Sequence, residues 1–578
     1  MAKRSRHAGS SKARPDAMLI PPERGFAVRM YRQGLGDCFL VALSQGKDMR
    51  PFYVLFDCGI HSRQDDGPKR LLEVMEDLVE ATGREIDVVV ATHQHADHLS
   101  GFVQKDNPFV DCRIKVRTFW VAWTEKPGDA RAEELRKKHG AAREALNKAV
   151  EKLKRSLGTG LADRLDALRD FEKNEADPDP RAVNAAAKLK PARKPKATAE
   201  AGEDGEGTAA GSEKVSSTEL AIQFLTSVAG EVHYCEPGES LALGNDTDAR
   251  AYVLGPPRGV LLKRDLPTGG DESERRETYL VGGSSQQGFV LAPALGAAGS
   301  SCNAGTIPDD LCHPFDSSLR RSYLEPVKPA DPVKWTDEKI PRSTKEFYES
   351  HYFEEENDWR RVDGDWLGAA EELALNLDSD TNNTSLVLAL EFGKPGEGKV
   401  AMFVGDAQVG NWLSWTDQKY KAGGQVSTID DLFERTILYK VGHHGSHNAT
   451  LKRDSRRPTA NDKFGSPYGL ELMKSALIAM IPVDRAAAEK KMPIAWHMPH
   501  PPLYESLLRK TAGRVLRADG LDAEPGIKGP RAVGPTDGEN WDKVPGVPGA
   551  FWREALTSFS KGEKTRKCPL YYDVKFEL

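Results

Sequence analysis

One six-residue segment constrains this chain more than any other feature. His93-Gln94-His95-Ala96-Asp97-His98 follows directly on EIDVVVAT (85–92), a continuous β-branched run typical of a strand buried on both faces. Because alternate residues after a strand point the same way, His93 and His95 can bind one ion while Asp97 and His98 turn toward a second. Imidazole and carboxylate suit Zn, Fe or Mn better than Ca. The alternative, a histidine-rich surface turn, is disfavoured because the ligand-type side chains are so dense.

Two later strand ends carry side chains of the same kind. The run KVAMFVGD (399–406) closes with Asp406, a carboxylate that can bridge two cations, and ILYKVG (437–442) is followed by His443 and His444. Taken alone, the first pattern is as typical of an ordinary turn, and paired histidines occur in cores and on surfaces. Together, ligand-type residues at three strand ends predict one shared metal site.

The remaining patterns predict an α/β fold. Alternating and apolar runs over residues 26–58 predict strands, and an i, i+3, i+4 apolar spacing over 68–82 predicts a helix. Further strands are expected over 384–406, with a helix near 428–435. A final α/β stretch is expected from 475 to 520.

Composition divides the chain into a core interrupted by inserts. A charged helical stripe over 129–174 predicts a hairpin of two helices, which either packs one face on the core or binds a protein partner. Residues 176–216 have almost nothing to bury, which predicts a disordered linker. The predicted order is a disordered basic arm (1–24), the first part of the core (25–125), the helical hairpin (126–175), the linker (176–216), core strands (217–258), an irregular insert (259–378), the second part of the core (379–525) and a C-terminal extension (526–578).

Composition also narrows the class of protein. No stretch approaches the roughly 18 apolar residues of a membrane span. The basic N-terminus has no apolar region behind it, so a secretory signal is not expected and the seven scattered cysteines are interpreted as reduced thiols of a cytoplasmic protein. The net charge of −6 gives no general basic surface for nucleic acid, although local charge and bound cations can reverse this at a site.

The motifs FDCG, THQHADH, FVGDA and VGHHGS, in this order, resemble the metallo-β-lactamase superfamily. The pattern is similar to the cytoplasmic domain of competence DNA-uptake channel proteins and related phosphodiesterases, where the opening strand ends in a Gly-x-Gly-Asp turn, here Gly34-Leu35-Gly36-Asp37. The resemblance covers roughly 25–125, 220–258 and 380–525. It implies an α/β fold built as a four-layer αββα sandwich, with the hairpin and the irregular segment as inserts.

The resemblance also implies roles for individual residues. His93 and His95 would hold metal one, and Asp97 and His98 metal two. Asp406 would bridge the two ions, and His443 would complete metal two because it comes first off its strand. Two divalent ions, Zn or Mn, are therefore expected, with Asp97 orienting a hydroxide that bridges them. The other implied site residues are Asp57, which would orient a ligand histidine, and His444, a substrate-side acid or substitute ligand.

One departure from the family pattern concerns metal one. Many members place a further histidine between the first cluster and the bridging aspartate, whereas this chain has Thr381-Asn382-Asn383-Thr384-Ser385 there. The site would have fewer protein nitrogens, which favours weaker binding or manganese, and Asn383 is expected near it. His500, in MPHPP, is interpreted either as a residue at the rim of the site or as part of a proline-fixed turn.

Three functions remain open at this point. The first is a phosphodiesterase or nuclease that uses a metal-bridged hydroxide on nucleic acid or on a small phosphodiester. The second is another hydrolase on the same scaffold, acting on a thioester, lactone or lactam. The third is a partner-binding protein with a vestigial site. The histidine-histidine-glycine-serine turn, the missing histidine and the Gly-x-Gly-Asp turn favour the first.

Overall fold

The computed structural model describes residues 18–156, 178–188, 216–245, 247–263, 351, 377, 379–454, 456–457, 465–474, 477–490, 496–520, 551–554 and 568–578. The predicted basic arm up to residue 17, the second half of the hairpin and nearly all of the irregular insert lie outside these residues. Among the described residues, no helix is both long enough and apolar enough to cross a membrane.

The chain divides into two compact units. The first comprises Met1–Arg136, Arg169–Ser285 and Asp378–Leu578, and it contains both large sheets. The second comprises Lys137–Leu168 and Gln286–Leu377, of which the described residues are 137–156, 351 and 377.

The first sheet has eight strands in the order β18-β19-β1-β2-β3-β4-β5-β6. The pairs β3–β4, β4–β5 and β5–β6 are parallel. The pairs β18–β19, β19–β1, β1–β2 and β2–β3 are antiparallel. The strands are β1 (Gly25–Tyr31), β2 (Phe39–Leu43), β3 (Phe52–Phe56), β4 (Glu85–Ala91), β5 (Lys115–Ala122), β6 (Glu231–Cys235), β18 (Phe551–Glu554) and β19 (Tyr571–Glu577).

The second sheet has seven strands in the order β17-β16-β13-β10-β9-β8-β7. Its strands are β7 (Ser240–Ala242), β8 (Arg250–Gly255), β9 (Val387–Phe392), β10 (Lys399–Phe403), β13 (Thr436–Lys440), β16 (Ile478–Ile481) and β17 (Val515–Arg517). Two short pairs lie apart from it: β11 (Tyr420–Ala422) with β12 (Gln425–Ser427), and β14 (Arg453–Asp454) with β15 (Ser466–Pro467).

The described helices connect these strands. They are α1 (Gly67–Ala81), α2 (Ala96–Val103), α3 (Ala130–Ser156), α4 (Pro180–Ala186), α5 (Ser217–Val228), α6 (Val409–Ser414), α7 (Ile429–Glu434), α8 (Arg485–Ala488) and α9 (Pro501–Lys510). The predicted helices over 68–82 and 428–435 correspond to α1 and α7.

The two sheets pack face to face, and strand β4 shows why. Its alternate residues Val88 and Val90 belong to the apolar core between the sheets, while Ile86 and Val89 belong to the core under the helices of the outer layer. Between the sheets, the rings of Phe56 and Phe403 stack with centroids 4.1 Å apart. A third core lies between the second sheet and helices that include α6, α7 and α9. The predicted four-layer αββα sandwich is confirmed.

Three boundaries differ from the sequence-based expectation. The C-terminal segment is not an extension outside the core, because Tyr571–Glu577 pairs with β1 along its whole length. The predicted disordered linker begins with helix α4, whose Ala182 and Ala186 are buried. The segment expected to hold only core strands opens instead with helix α5, which is capped by the Ser216 hydroxyl accepting from Glu219 N.

Candidate metal centre

The candidate ligands converge because their strands end at the same edge of the sandwich. Asp97 and His98 lie in the first turn of α2, directly after β4. Asp406 follows β10 through Gly405, whose φ of +53° suits glycine and where an added Cβ would lie 3.0 Å from the Ser385 side chain. His444 follows β13 in a tight turn with a φ of +50°.

Four side chains form a buried cluster whose ligand atoms all lie within 4.8 Å of one another: Asp97, His98, Asp406 and His444. His444 Nε2 lies 2.8 Å from Asp97 Oδ2, and His98 Nε2 lies 3.3 Å from Asp406 Oδ2. His98 Nε2 is also 3.8 Å from Asp97 Oδ2. Two carboxylates and two imidazoles at this spacing are a ligand set for Zn or Mn.

Unpartnered atoms show that this cluster fits a cation. Among the described residues, Asp97 Oδ1, His98 Nε2 and Asp406 Oδ2 are buried without a hydrogen-bond partner. A buried polar atom left unsatisfied costs free energy, so such atoms are rare in folded proteins. A divalent ion accepting these lone pairs would remove that cost.

His93 and His95 form a separate pair beside the cluster. His93 Nε2 lies 3.0 Å from His95 Nδ1, and the rings of His93 and His98 are 4.1 Å apart. Within the described part of the chain, no other histidine, cysteine or carboxylate joins this pair at the spacing of the four-residue cluster. A second ion held here would have two protein nitrogens.

Asp57 fixes the orientation of His98. Its Oδ2 accepts from His98 Nδ1 at 2.7 Å, and its two oxygens accept from the amide and hydroxyl of Thr92 at 2.8 and 2.7 Å. Because Nδ1 contacts this carboxylate, Nε2 is the nitrogen that His98 turns toward the cluster. Asp57 therefore lies against His98, one of the expected ligand histidines.

Residues 35–168 match the family model of the metallo-beta-lactamase superfamily. Over these residues, which are less than a quarter of the chain, the sequence is similar to that superfamily. Proteins of this superfamily are mostly metal-dependent hydrolases, and the buried histidine–aspartate cluster is compatible with that chemistry. The search of curated proteins found no match.

The turn after β13 differs from the prediction. We expected His443 to be the ligand and His444 the substrate-side residue or substitute, but His444 joins the cluster. Both residues have a positive φ, 41° and 50°, which turns the second imidazole back toward Asp97. His443 instead donates its backbone N–H to Asp406 Oδ1 at 2.9 Å, so Asp406 offers Oδ2 to an ion.

Two other predicted site residues, Asn383 and His500, lie in segments beside the cluster. Asn383 accepts from Asn411 N at 3.2 Å, and the nearby Ser385 hydroxyl accepts from Asp406 N at 3.0 Å. His500 donates its backbone N–H to Gly445 O at 2.8 Å, which ties the start of α9 to the histidine turn. These residues support the ligand loops and are not themselves in the four-residue cluster.

Two charged residues next to the cluster were not predicted from the sequence. Lys440, the last residue of β13, is 2% exposed and forms an ion pair with Asp37. A lysine that closes an otherwise apolar strand directly before a histidine turn is a signal that could have been noticed. Asp37 closes the Gly-x-Gly-Asp turn, a pattern that does not indicate a partner for its carboxylate.

Burial and the neighbouring charges shift the pKa values of the cluster in opposite directions. Burial would lower the pKa of His98, but Asp406, Asp37 and Asp57 raise it well above its usual range. Burial would raise the pKa of Asp406, but His98 and Lys440 hold it well below its usual range. For His95, burial dominates and lowers the pKa to about 3. The neutral His95 ring is therefore available as a ligand at pH 7.

Proposed function

We propose that this protein is a metal-dependent phosphodiesterase acting on nucleic acid or a small phosphodiester. The observation that carries the proposal is the buried cluster of Asp97, His98, Asp406 and His444, in which three ligand atoms have no hydrogen-bond partner among the described residues. Divalent ions bound here and at His93–His95 would neutralise negative charge that develops on phosphoryl oxygens.

Contacts within the chain fix the reactive carboxylate. Asp97 Oδ2 lies 2.8 Å from His444 Nε2, and Oδ1 is buried without a hydrogen-bond partner among the described residues. His444 is itself oriented because its Nδ1 donates to Pro482 O at 2.8 Å. This arrangement leaves one rigid carboxylate oxygen to orient a nucleophile, which is the role that the resemblance implies for Asp97.

His443 takes a proton-accepting role in this proposal. Ser446 donates its hydroxyl proton to Asn448 Oδ1 at 2.9 Å, so its oxygen accepts from His443 Nδ1, also at 2.9 Å. That leaves Nε2 of His443 as a proton acceptor. Burial lowers the pKa of His443, which keeps the ring neutral at pH 7. A neutral imidazole beside the cluster can take a proton during hydrolysis.

The segment Thr381–Ser385 supports a phosphodiester over the other ester-like substrates. It supplies amide and hydroxyl groups where many superfamily members have a histidine, and its Asn383 and Ser385 are engaged with Asn411 and Asp406. The position at His93 and His95 therefore keeps room for substrate oxygens. The non-bridging oxygens of a phosphodiester are suitable ligands for such a position.

Hydrolysis of bis-p-nitrophenyl phosphate and of single- and double-stranded DNA, with Mn or Zn added, tests the proposal. The wild-type chain should cleave at least one of them, and the Asp97→Ala/His98→Ala variant should be inactive while remaining folded. Metal binding without cleavage of any phosphodiester would move the assignment to thioester, lactone or lactam hydrolysis. Full turnover by the double variant would contradict the site.

A further inference from the structure

A buried ion pair lies directly behind the candidate ligands. Lys440 and Asp37 are each 2% exposed and are paired through Nζ and Oδ2. Lys440 Nζ also donates to Gly405 O at 3.0 Å and lies 3.6 Å from Asp406 Oδ1. The ammonium therefore contacts the carboxylate of Asp37 and the backbone and side chain that place Asp406.

The carboxylate of Asp37 faces both ligand histidines from the side opposite the cluster. Its Oδ2 lies 3.8 Å from His98 Nδ1, and its Oδ1 lies 3.9 Å from His444 Nδ1. In each ring Nδ1 is the nitrogen turned away from the cluster, because Nε2 contacts the cluster carboxylates. One carboxylate thus acts electrostatically on two ligands that come from different sheets.

Two hydrogen bonds also fix the backbone of Asp37. Its N–H donates to Asp97 O at 2.9 Å, and its carbonyl accepts from Gly59 N at 3.0 Å. Gly36 has a φ of +148°, and a Cβ there would lie 2.5 Å from Gly59 O and 2.9 Å from Asp97 O. The glycine lets the turn approach α2 closely enough for Asp37 to reach Lys440 on the other sheet.

We propose that Asp37, held in place by Lys440, is a positioning residue of the metal centre. The pair joins the histidine segment of the first sheet to the Asp406 and His444 loops of the second. Its carboxylate places a negative charge behind both imidazoles, whose Nδ1 atoms are held by Asp57 and by Pro482 O. Stability alone is a weak reason for such a pair, because desolvation offsets most of the attraction between buried charges. Carboxylates placed behind ligand histidines do govern metal affinity.

The inference rests on the proposed metal centre but not on its substrate. Its test is calorimetric titration of Mn²⁺ or Zn²⁺ into the metal-free full-length chain, with thermal unfolding measured in parallel. The test variant is Asp37→Asn/Lys440→Met, which removes both charges together and so leaves no uncompensated buried ion. The matched control is Glu391→Gln/Arg435→Met, which removes an ion pair between the buried Glu391 of β9 and the partly exposed Arg435. Among the described contacts, neither residue touches a candidate ligand.

The test variant should remain cooperatively folded and bind the metal roughly 10–100-fold more weakly than wild type. The control should lower Tm and leave the affinity unchanged. Equal affinity of the test variant and wild type would overturn the inference and leave the pair a purely structural one. Tight metal binding by wild type without phosphodiester cleavage would refute the proposed substrate, while the comparison of affinities would still decide the role of Asp37.

Discussion

At the scale of single residues, the backbone of the histidine turn decides which imidazole becomes a ligand. In the sequence, His443 and His444 are equally suitable as metal ligands, and the order along the chain favours His443 because it follows the strand first. The positive φ of both residues reverses that order, and no pattern in the sequence marks it because neither residue is glycine. The His93–His98 segment, Asp57 and Asp406 could be identified from sequence because each directly follows a strand. The contact between Lys440 and Asp37 could not be predicted, because it spans the two sheets.

Replacing each histidine of the turn should separate metal binding from catalysis. His444→Ala removes a cluster ligand, so we expect metal affinity to fall at least about tenfold. Removing a residue that only hydrogen-bonds to a metal ligand already lowers affinity by about that much. His443→Ala should keep the metal, while kcat falls roughly 10²–10⁴-fold because a proton acceptor is lost. Metal titration and steady-state kinetics on both variants measure this. The reverse pattern would return the ligand role to His443.

His447 should make the fold sensitive to acid. Burial, together with the neighbouring His500 and His443, lowers the pKa of His447 to about 4. The unfolded chain binds this proton near pH 6.5, so the contribution of His447 to stability is complete above that value and is lost as pH falls toward 4. The loss amounts to at most about 3 kcal/mol.

Denaturant unfolding of wild type and His447→Asn between pH 7 and pH 4 measures that contribution. The variant should lose less stability than wild type over this interval. The slope of the unfolding free energy against pH should differ between the two proteins by up to the equivalent of one bound proton. Parallel curves for the two proteins would show that His447 titrates normally in the folded state.

At the scale of elements, runs that are apolar or strictly alternating were predicted well. Strand β4, helix α1 and the strands that end at Asp406 and His443 follow from local pattern alone. The C-terminal strand β19 was missed because its partner, β1, lies more than five hundred residues earlier in the chain, and no local pattern reports such a pairing. Helix α4 was missed because its few buried alanines give a weak apolar signal.

The pairing of β19 can be tested through Asp573. Its carboxylate accepts from Arg29 Nε at 2.7 Å and Nη2 at 2.9 Å, and both side chains are fully buried. Asp573→Asn should lower the free energy of unfolding by about 1–3 kcal/mol, because the buried guanidinium of Arg29 loses one charged partner and keeps Asp77. Glu577→Gln, at the exposed end of the same strand, serves as the control. A loss below about 1 kcal/mol at Asp573 would argue against this pairing.

At the scale of the whole molecule, the sandwich was predictable and the roles of the inserts were not. The order of strands and ligand motifs specifies the two sheets, because each motif must close a buried strand. The hairpin over 129–174 has its first helix in α3, and a protein partner for it stays a prediction. The composition of 189–215 gives few apolar residues with which to pack, since Leu189 and Val215 are its only large ones.

Exchanging residues 189–215 for a glycine-serine linker of equal length tests that interpretation. Both Tm and turnover should match wild type, because the exchange leaves α4 and α5 intact and removes no predicted core residue. Differential scanning calorimetry and phosphodiester hydrolysis provide the two readouts. Lost turnover in a protein with unchanged Tm would show that this segment takes part in substrate recognition.

The most direct test of the central claim is anomalous X-ray diffraction from crystals grown with Mn²⁺. The account predicts an anomalous peak within ligand distance of Asp97 Oδ1, His98 Nε2, Asp406 Oδ2 and His444 Nε2, and its disappearance in Asp97→Ala/His98→Ala. A weaker second peak at His93 and His95 is expected at higher metal concentration. Crystals of the folded wild-type protein without any peak at the four-residue cluster would contradict the assignment of a metal centre.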